Sequence, residues 1–245
     1  MTRIGIVVGI DDSLRARNAV LWAVDECQLR RCSLLIVCAA ETGTLATDET
    51  TIRACERAAD QVLTAQAVLA SARQPTVAVA TLLIRTEPEE ALVRLSAAAV
   101  MLVVHPTQRW SQTASSRWVA AHARCPVALI SDRPAGTARR ARIIVATATG
   151  PSGRRTRAFA RDEALVHSAT THIVVGSDAA ETVLHESAHD ELAVIGVRQA
   201  DSLWRSGSDP NAVGLMPRPP CPVLLVPDST QDMSERGIVS QRSAI

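Results

Sequence analysis

Aromatic residues are almost missing from this chain, which has no tyrosine, one phenylalanine and four tryptophans among 245 residues. A folded core must therefore be built from Ala, Val, Leu and Ile, and these side chains suit parallel strands covered by helices. Because 47% of the residues are hydrophobic and 21% are charged, the composition is that of a globular protein and excludes general disorder.

A surplus of charge is also missing. Lys plus Arg number 26 against 25 Asp plus Glu, a formal net charge of +1, so no long-range field draws the chain toward nucleic acid or membrane. Two arginine clusters, at 139–142 and 154–161, lack the interleaved aromatic side chains on which bases stack. We therefore predict no nucleic-acid partner.

Long apolar runs and cysteine motifs are absent as well. No apolar run reaches the ~20 residues that a membrane span needs, and the first residues show no leader pattern, so we expect a cytoplasmic protein with no membrane contact. The six cysteines form no C-x-x-C pair and no regular framework. This spacing favours neither a zinc ribbon nor a disulfide scaffold, and we expect buried free thiols.

An internal repeat is the most informative feature that is present. Cys-Pro-Val at 125–127 recurs at 221–223, residues 87–104 match 178–195, and residues 6–9 match 143–146. The shift falls from 137 to 91, so the second copy has lost 46 residues after its first strand. We predict a first domain at 1–133, a linker at 134–140, a truncated second domain at 141–228 and a disordered tail at 229–245.

Hydrophobic periodicity gives the order of elements. The first copy has apolar strand patterns at 5–10, 34–39, 76–84, 100–104 and 127–130, and helical patterns at 13–30, 51–72, 88–98 and 115–123. The second copy has room for one helix, at 154–168, before a strand at 172–175. Continuous apolar strands alternating with helices predict an α/β fold with a parallel sheet covered by helices on both faces.

Three segments carry a family resemblance. They are Val-Val-Gly-Ile-Asp-Asp-Ser at 7–13, Ala-Val-Leu-Trp-Ala-Val-Asp-Glu at 19–26, and Trp-Val-Ala-Ala-His-Ala-Arg-Cys-Pro-Val at 118–127. Together they resemble the universal stress protein family, particularly its tandem actinobacterial members. The resemblance covers residues 4–130 and, more weakly, 142–226. It implies an adenine-nucleotide alpha-hydrolase-like fold in two tandem domains.

The resemblance also implies where a nucleotide would bind. Members that bind ATP have an Asp after the first strand and a loop of pattern G-x2-G-x9-G-[ST] after the fourth, whose backbone N–H groups surround phosphate oxygens. Carried over to this sequence, the cofactor-binding residues would be Ile10, Asp11, Val37, Ser115 and Ser116.

The glycine loop is not preserved. His105 and Gln108 stand where the first two glycines belong, while the second copy keeps Gly196 but has Gln199 and, at the Asp position, Ala148. The sequence therefore favours a non-catalytic stress-response or regulatory binding protein with a degenerate nucleotide site and no cofactor. The alternative is a member that binds ATP and hydrolyses it slowly.

Two motifs raise the question of catalysis. His185 and His189 satisfy H-E-x-x-H, which leaves a zinc hydrolase as a remote alternative. The repeat aligns this segment with an ordinary helix end at 94–98, and no third ligand follows at the usual distance, so we predict no metal ligand. Asp11 and Asp12 lack a matching nucleophile, and Asp12 or Ser13 is better suited to capping the first helix. We predict that the protein is not an enzyme.

The remaining expectations concern contacts. We predict that the two copies form an intramolecular pseudo-dimer with their Cys-Pro-Val strands adjacent, since the strand at 127–130 would otherwise expose an apolar edge. A protein partner is expected, and a homodimer is possible. Trp22 and Trp118 fall on apolar helix faces and should lie in the core, whereas Trp110 and Trp204 follow the two fourth strands and would mark a binding surface if exposed.

Overall fold

The computed structural model describes residues 4–40, 48–105, 118–120, 122–130, 142–147, 153–176, 182–183, 192–197 and 221–227. Their elements are β1 (Ile4–Ile10), α1 (Leu14–Arg30), β2 (Leu34–Ala39), α2 (Glu49–Arg73), β3 (Val79–Ile84), α3 (Pro88–Ser96), β4 (Ala99–Val104), β5 (Val127–Leu129), β6 (Arg142–Thr147), α4 (Arg154–His167), β7 (Thr170–Val175), β8 (Leu192–Val197) and β9 (Val223–Pro227). None of the described helices is long and apolar enough to cross a membrane.

Side-chain caps explain where the first two helices begin. Ser13 precedes α1, and its hydroxyl accepts the backbone N–H of Ala16 at 3.3 Å. Asp48 does the same for α2 by accepting the N–H of Thr51 at 2.8 Å. Each cap satisfies one of the N–H groups that a helix start leaves without an intrahelical partner. The predicted capping role of Ser13 is confirmed.

The strands form one nine-stranded sheet in the order β3-β2-β1-β4-β5-β9-β8-β6-β7. All neighbours are parallel except β5 and β9, which are antiparallel with Ala128 opposite Leu224. The two Cys-Pro-Val strands are therefore adjacent, as expected. The sheet is mixed rather than wholly parallel, because equivalent strands that meet edge to edge about a two-fold axis must run in opposite directions.

The order β9-β8-β6 repeats the order β5-β4-β1 of the first copy, in agreement with the internal repeat. The division into two domains stays a prediction, because the proposed linker and tail lie outside the described residues. Most of the predicted strand bounds agree with the structure. The strand expected at 76–84 begins instead at Val79, because Val77 donates its N–H to Gln74 in a turn.

Helices cover both faces of the sheet. On one face α1, α2 and α4 pack on a core that includes Ile6, Ile36, Val194 and Leu224. On the other face α3 packs over Val7, Leu102 and related side chains. Helices α1 and α4, from opposite sides of the β5–β9 junction, therefore lie on the same face of one sheet.

Two tryptophan predictions have different outcomes. Trp22 is buried in the core, as expected. Trp118 is 39% exposed, so its predicted core position is wrong. Its indole stacks on the imidazole of His122 with ring centroids 4.3 Å apart, and the two rings form a pair near the surface. Trp110 and Trp204 lie outside the described residues.

All six cysteines are free. Four are buried, and Cys32 and Cys55 are partly exposed. The expectation of free thiols is therefore confirmed, with two exceptions to complete burial.

Candidate functional site

Three of the five candidate nucleotide residues lie near the carboxyl ends of adjacent parallel strands. Ile10 ends β1 and is followed by Asp11, while Val37 lies in β2 opposite Gly9. All three side chains are buried. Loops at the carboxyl ends of parallel strands are the usual place for ligands in open α/β sheets. Ser115 and Ser116 lie outside the described residues.

The position of Asp11 follows from the local sequence. Its Oδ1 accepts the backbone N–H of Ser13 at 2.9 Å, a turn that Asp side chains form with the backbone two residues ahead. This turn reverses the chain between the end of β1 and the cap of α1. The carboxylate is therefore held at the carboxyl edge of the sheet by its own backbone.

His105 follows β4, the other neighbour of β1, and points toward the same carboxylate. Its Nε2 lies 3.5 Å from Asp11 Oδ1, and the two side chains are 3% and 6% exposed. The imidazole is thus buried beside the group that the resemblance assigns to a nucleoside. This pair can share a proton or a charge.

Gly196 of the second copy has a packing role. A Cβ at this position would approach Thr156 Oγ1 to 2.4 Å, so α4 lies on β8 at a distance that only glycine permits. Gln108, Ala148, Gln199, His185 and His189 lie outside the described residues. The predictions made for them, including the absence of zinc ligands, stay predictions.

A second polar cluster, not anticipated from the sequence, lies between α1 and α4. Glu26 and Arg30 come from α1, and Glu163 and His167 come from α4. Arg30 Nε donates to Glu26 Oε1 at 2.8 Å, and Arg30 Nη2 donates to both carboxylate oxygens of Glu163. The imidazole Nε2 of His167 lies 3.4 Å from Glu26 Oε2 and 3.7 Å from Glu163 Oε2. We refer to these four residues as the interhelix cluster.

Burial and charge act in opposite directions on the interhelix cluster. Burial raises the pKa of Glu26, but nearby His167 and Arg30 outweigh it and hold the pKa below its ordinary value. Burial also raises the pKa of Glu163, and there Arg30 does not fully offset it. Burial lowers the pKa of Arg30, whereas the two carboxylates raise it above its ordinary value. The cluster is thus a strongly coupled set of buried charges.

One sequence signal could have revealed the interhelix cluster. Glu163 and His167 are four residues apart, so they share a face of α4, and Glu26 follows a run of apolar residues in α1. Charged side chains on the buried face of a helix are rare unless they are paired. The sequence does not contain the information that α1 and α4 pack against each other.

The described strands and helices form an α/β fold with a mostly parallel sheet, and the candidate site lies at the carboxyl ends of β1 and β4. The universal stress protein family model matches residues 5–131, more than half of the chain, and the chain therefore belongs to this family. The predicted resemblance to the family is confirmed, and the tandem arrangement with a truncated second domain stays a prediction. No curated protein sequence matches the chain.

Solved structures share the fold at low sequence identity. A universal stress protein from Archaeoglobus fulgidus is 14% identical with a TM-score of 0.75, covering 93% of this chain and 97% of that one. A protein of unknown function from Pseudomonas aeruginosa is 15% identical with a TM-score of 0.55, covering 92% of each chain. A further Archaeoglobus fulgidus universal stress protein, solved in complex with dAMP, is 22% identical with a TM-score of 0.43, covering 53% of this chain and 99% of that one.

Proposed function

We propose that this universal stress family protein works without catalytic turnover, as a stress-response or regulatory binding protein whose nucleotide site is closed. The observation that carries the proposal is the buried contact between His105 and Asp11. A nucleoside that used Asp11 would have to displace a buried imidazole from the carboxylate. Its binding free energy would be reduced by the loss of that contact.

The same residue argues against a phosphate site. A phosphate loop works because glycine lets backbone N–H groups approach phosphate oxygens. His105 places a buried side chain at the first position of that loop, where a glycine would leave the backbone accessible. An ATP site requires an accessible Asp11 carboxylate and a glycine at the start of the phosphate loop. His105 weakens both.

An exposed sheet edge supports a role in protein contacts. Strand β7 is the last strand of the sheet, and Ile173 and Val175 on one of its faces are 46% and 50% exposed. No described strand pairs with the outer edge of β7, and a strand edge with exposed apolar side chains can accept a strand from another chain. We therefore propose that a protein partner, or a second copy, binds at β7.

The six free thiols support a reducing compartment such as the cytoplasm.

Titration calorimetry with Mg-ATP tests the closed site. We expect no measurable heat for the wild-type protein up to millimolar ATP. His105→Gly removes the imidazole and restores the loop glycine, and we expect it to gain affinity for ATP. Asp11→Asn in the His105→Gly background is the matched control, and it should lose that gain.

The rival function, ATP binding with slow hydrolysis, predicts the opposite result. Micromolar affinity of the wild-type protein, weakened by Asp11→Asn alone, would replace our proposal. Phosphate release at a constant slow rate from the same sample would show that the protein is an enzyme.

A further inference from the structure

The interhelix cluster has the donor set of a metal site. Glu26, Glu163 and His167 each offer one ligand atom, and these three atoms lie within 4.8 Å of one another. The three side chains are 2%, 0% and 1% exposed. They are thus the ligand types that zinc accepts, one imidazole and two carboxylates, held together away from bulk solvent.

His167 is the observation that points to a ligand. Neither of its ring nitrogens makes a hydrogen bond within the described part of the chain, although Nε2 faces two carboxylates. A buried polar group without a hydrogen bond is costly. Nε2 would be satisfied by a cation bound between it and the carboxylate oxygens.

The distances between the ligand atoms are compatible with a bound metal ion. A protonated imidazole would form a charge-assisted hydrogen bond of about 2.7–2.9 Å to a carboxylate oxygen. Nε2 instead lies 3.4 and 3.7 Å from the two oxygens. Zinc–nitrogen and zinc–oxygen bonds of about 2.0–2.2 Å in a tetrahedron place neighbouring ligand atoms roughly 3.3–3.5 Å apart. The two distances from Nε2 are therefore close to the spacing of ligand atoms around a zinc ion.

Arg30 supplies the supporting hydrogen bonds. It binds Glu26 Oε1 and both oxygens of Glu163, and metal-binding carboxylates are commonly fixed by such outer contacts. A divalent ion would neutralise the two carboxylates, which are cut off from water. The positive charge of the Arg30 guanidinium then remains without a counter-charge. Its side chain is 13% exposed and still reaches solvent.

We propose that Glu26, Glu163 and His167 bind one divalent transition-metal ion, for which zinc is the probe, and that this ion joins α1 to α4. Three protein ligands leave the fourth position of a tetrahedral ion to one enclosed water molecule. Because the site is sealed, the ion has a structural role, and it connects the family-matched region to the remainder of the chain.

The test is zinc stoichiometry on protein purified without a His-tag, stripped with chelator and incubated for hours with a small excess of zinc. We expect one equivalent in the wild type and at least 100-fold weaker binding in His167→Gln and in Glu163→Gln. His172→Gln, an exposed histidine on β7, is the matched control. His185→Gln is the control for the H-E-x-x-H motif, and both controls should retain one equivalent.

X-ray absorption of the zinc-loaded wild type gives a second readout that requires no variant. Outer-shell scattering should count one imidazole per zinc. Failure of the wild type to bind one equivalent, retention of zinc by folded His167→Gln, or two imidazoles per zinc would each overturn the proposal.

Discussion

Leu224→Ala tests whether the nine strands behave as one cooperative unit. Leu224 is the second residue of β9 and lies opposite Ala128 of β5 on one side and Val194 of β8 on the other. Its side chain is fully buried and belongs to a core cluster that extends to both sides of the junction. The substitution therefore removes packing at the seam between the two copies.

The magnitude follows from the burial. Replacing a fully buried Leu by Ala removes transfer free energy and leaves a cavity, at a combined cost of about 3 kcal/mol. A change of 1 kcal/mol shifts Tm by roughly 2–4 °C in a chain of this size. We therefore expect Tm to fall by roughly 6–12 °C in a single transition.

Differential scanning calorimetry is the assay, and Leu165→Ala is the matched control. Leu165 lies on α4 and is 80% exposed, so its loss should change the free energy of unfolding by no more than about 0.5 kcal/mol. Two separate transitions, of which Leu224→Ala moves only one, would show that the copies unfold independently. A shift below about 2 °C would show that the seam carries little of the stability.

Three further predictions concern single positions. The neighbouring Cys27 thiol lowers the pKa of Cys32, so alkylation at Cys32, followed by peptide mass spectrometry, should rise with a midpoint below the ordinary thiol pKa. The midpoint should move toward the ordinary thiol value of about 8.5 in Cys27→Ala, and an unchanged midpoint would contradict this. Gly5→Ala should fail to give soluble folded protein, because a Cβ would lie 1.9 Å from the backbone oxygen of Ser33; wild-type Tm would refute it. Val175→Lys should leave Tm within about 2 °C and raise the concentration at which light scattering appears, because a charge protects an exposed strand edge; unchanged scattering would count against β7 as a contact surface.

The sequence predicted the elements best where burial alone determines them. Strand β2 was expected at 34–39 and is found there. Its apolar run begins directly after the polar Ser33 and ends where the large apolar side chains stop. At β3 the alternation of Thr, Val and Ala continues past the strand into the turn that contains Val77. The sequence pattern could not show that the backbone N–H of Val77 makes a hydrogen bond within a turn instead of one to a neighbouring strand.

The sites depend on contacts that a linear pattern does not contain. The presence of His105 in the loop was visible in the sequence, but its approach to Asp11 depends on the pairing of β1 with β4. Glu26 and His167 are far apart in the chain, and they meet only because the β5–β9 junction brings α1 and α4 to the same face. Periodicity identifies which face of each helix is buried, and it does not identify the neighbour.

The antiparallel junction between β5 and β9 places the carboxyl ends of the two copies' strands at opposite ends of the sheet. Because β9 runs opposite to β5 while the other neighbours are parallel, the carboxyl ends of β1, β2 and β4 lie at one end of the sheet, and those of β6 and β8 lie at the other. A small ligand bound beside Asp11 at the first end is therefore separated from the carboxyl end of β8 by the length of the strands. Each end has therefore been able to diverge without steric consequence for the other, in keeping with Asp11 in one copy and Ala148 at the matching position of its counterpart.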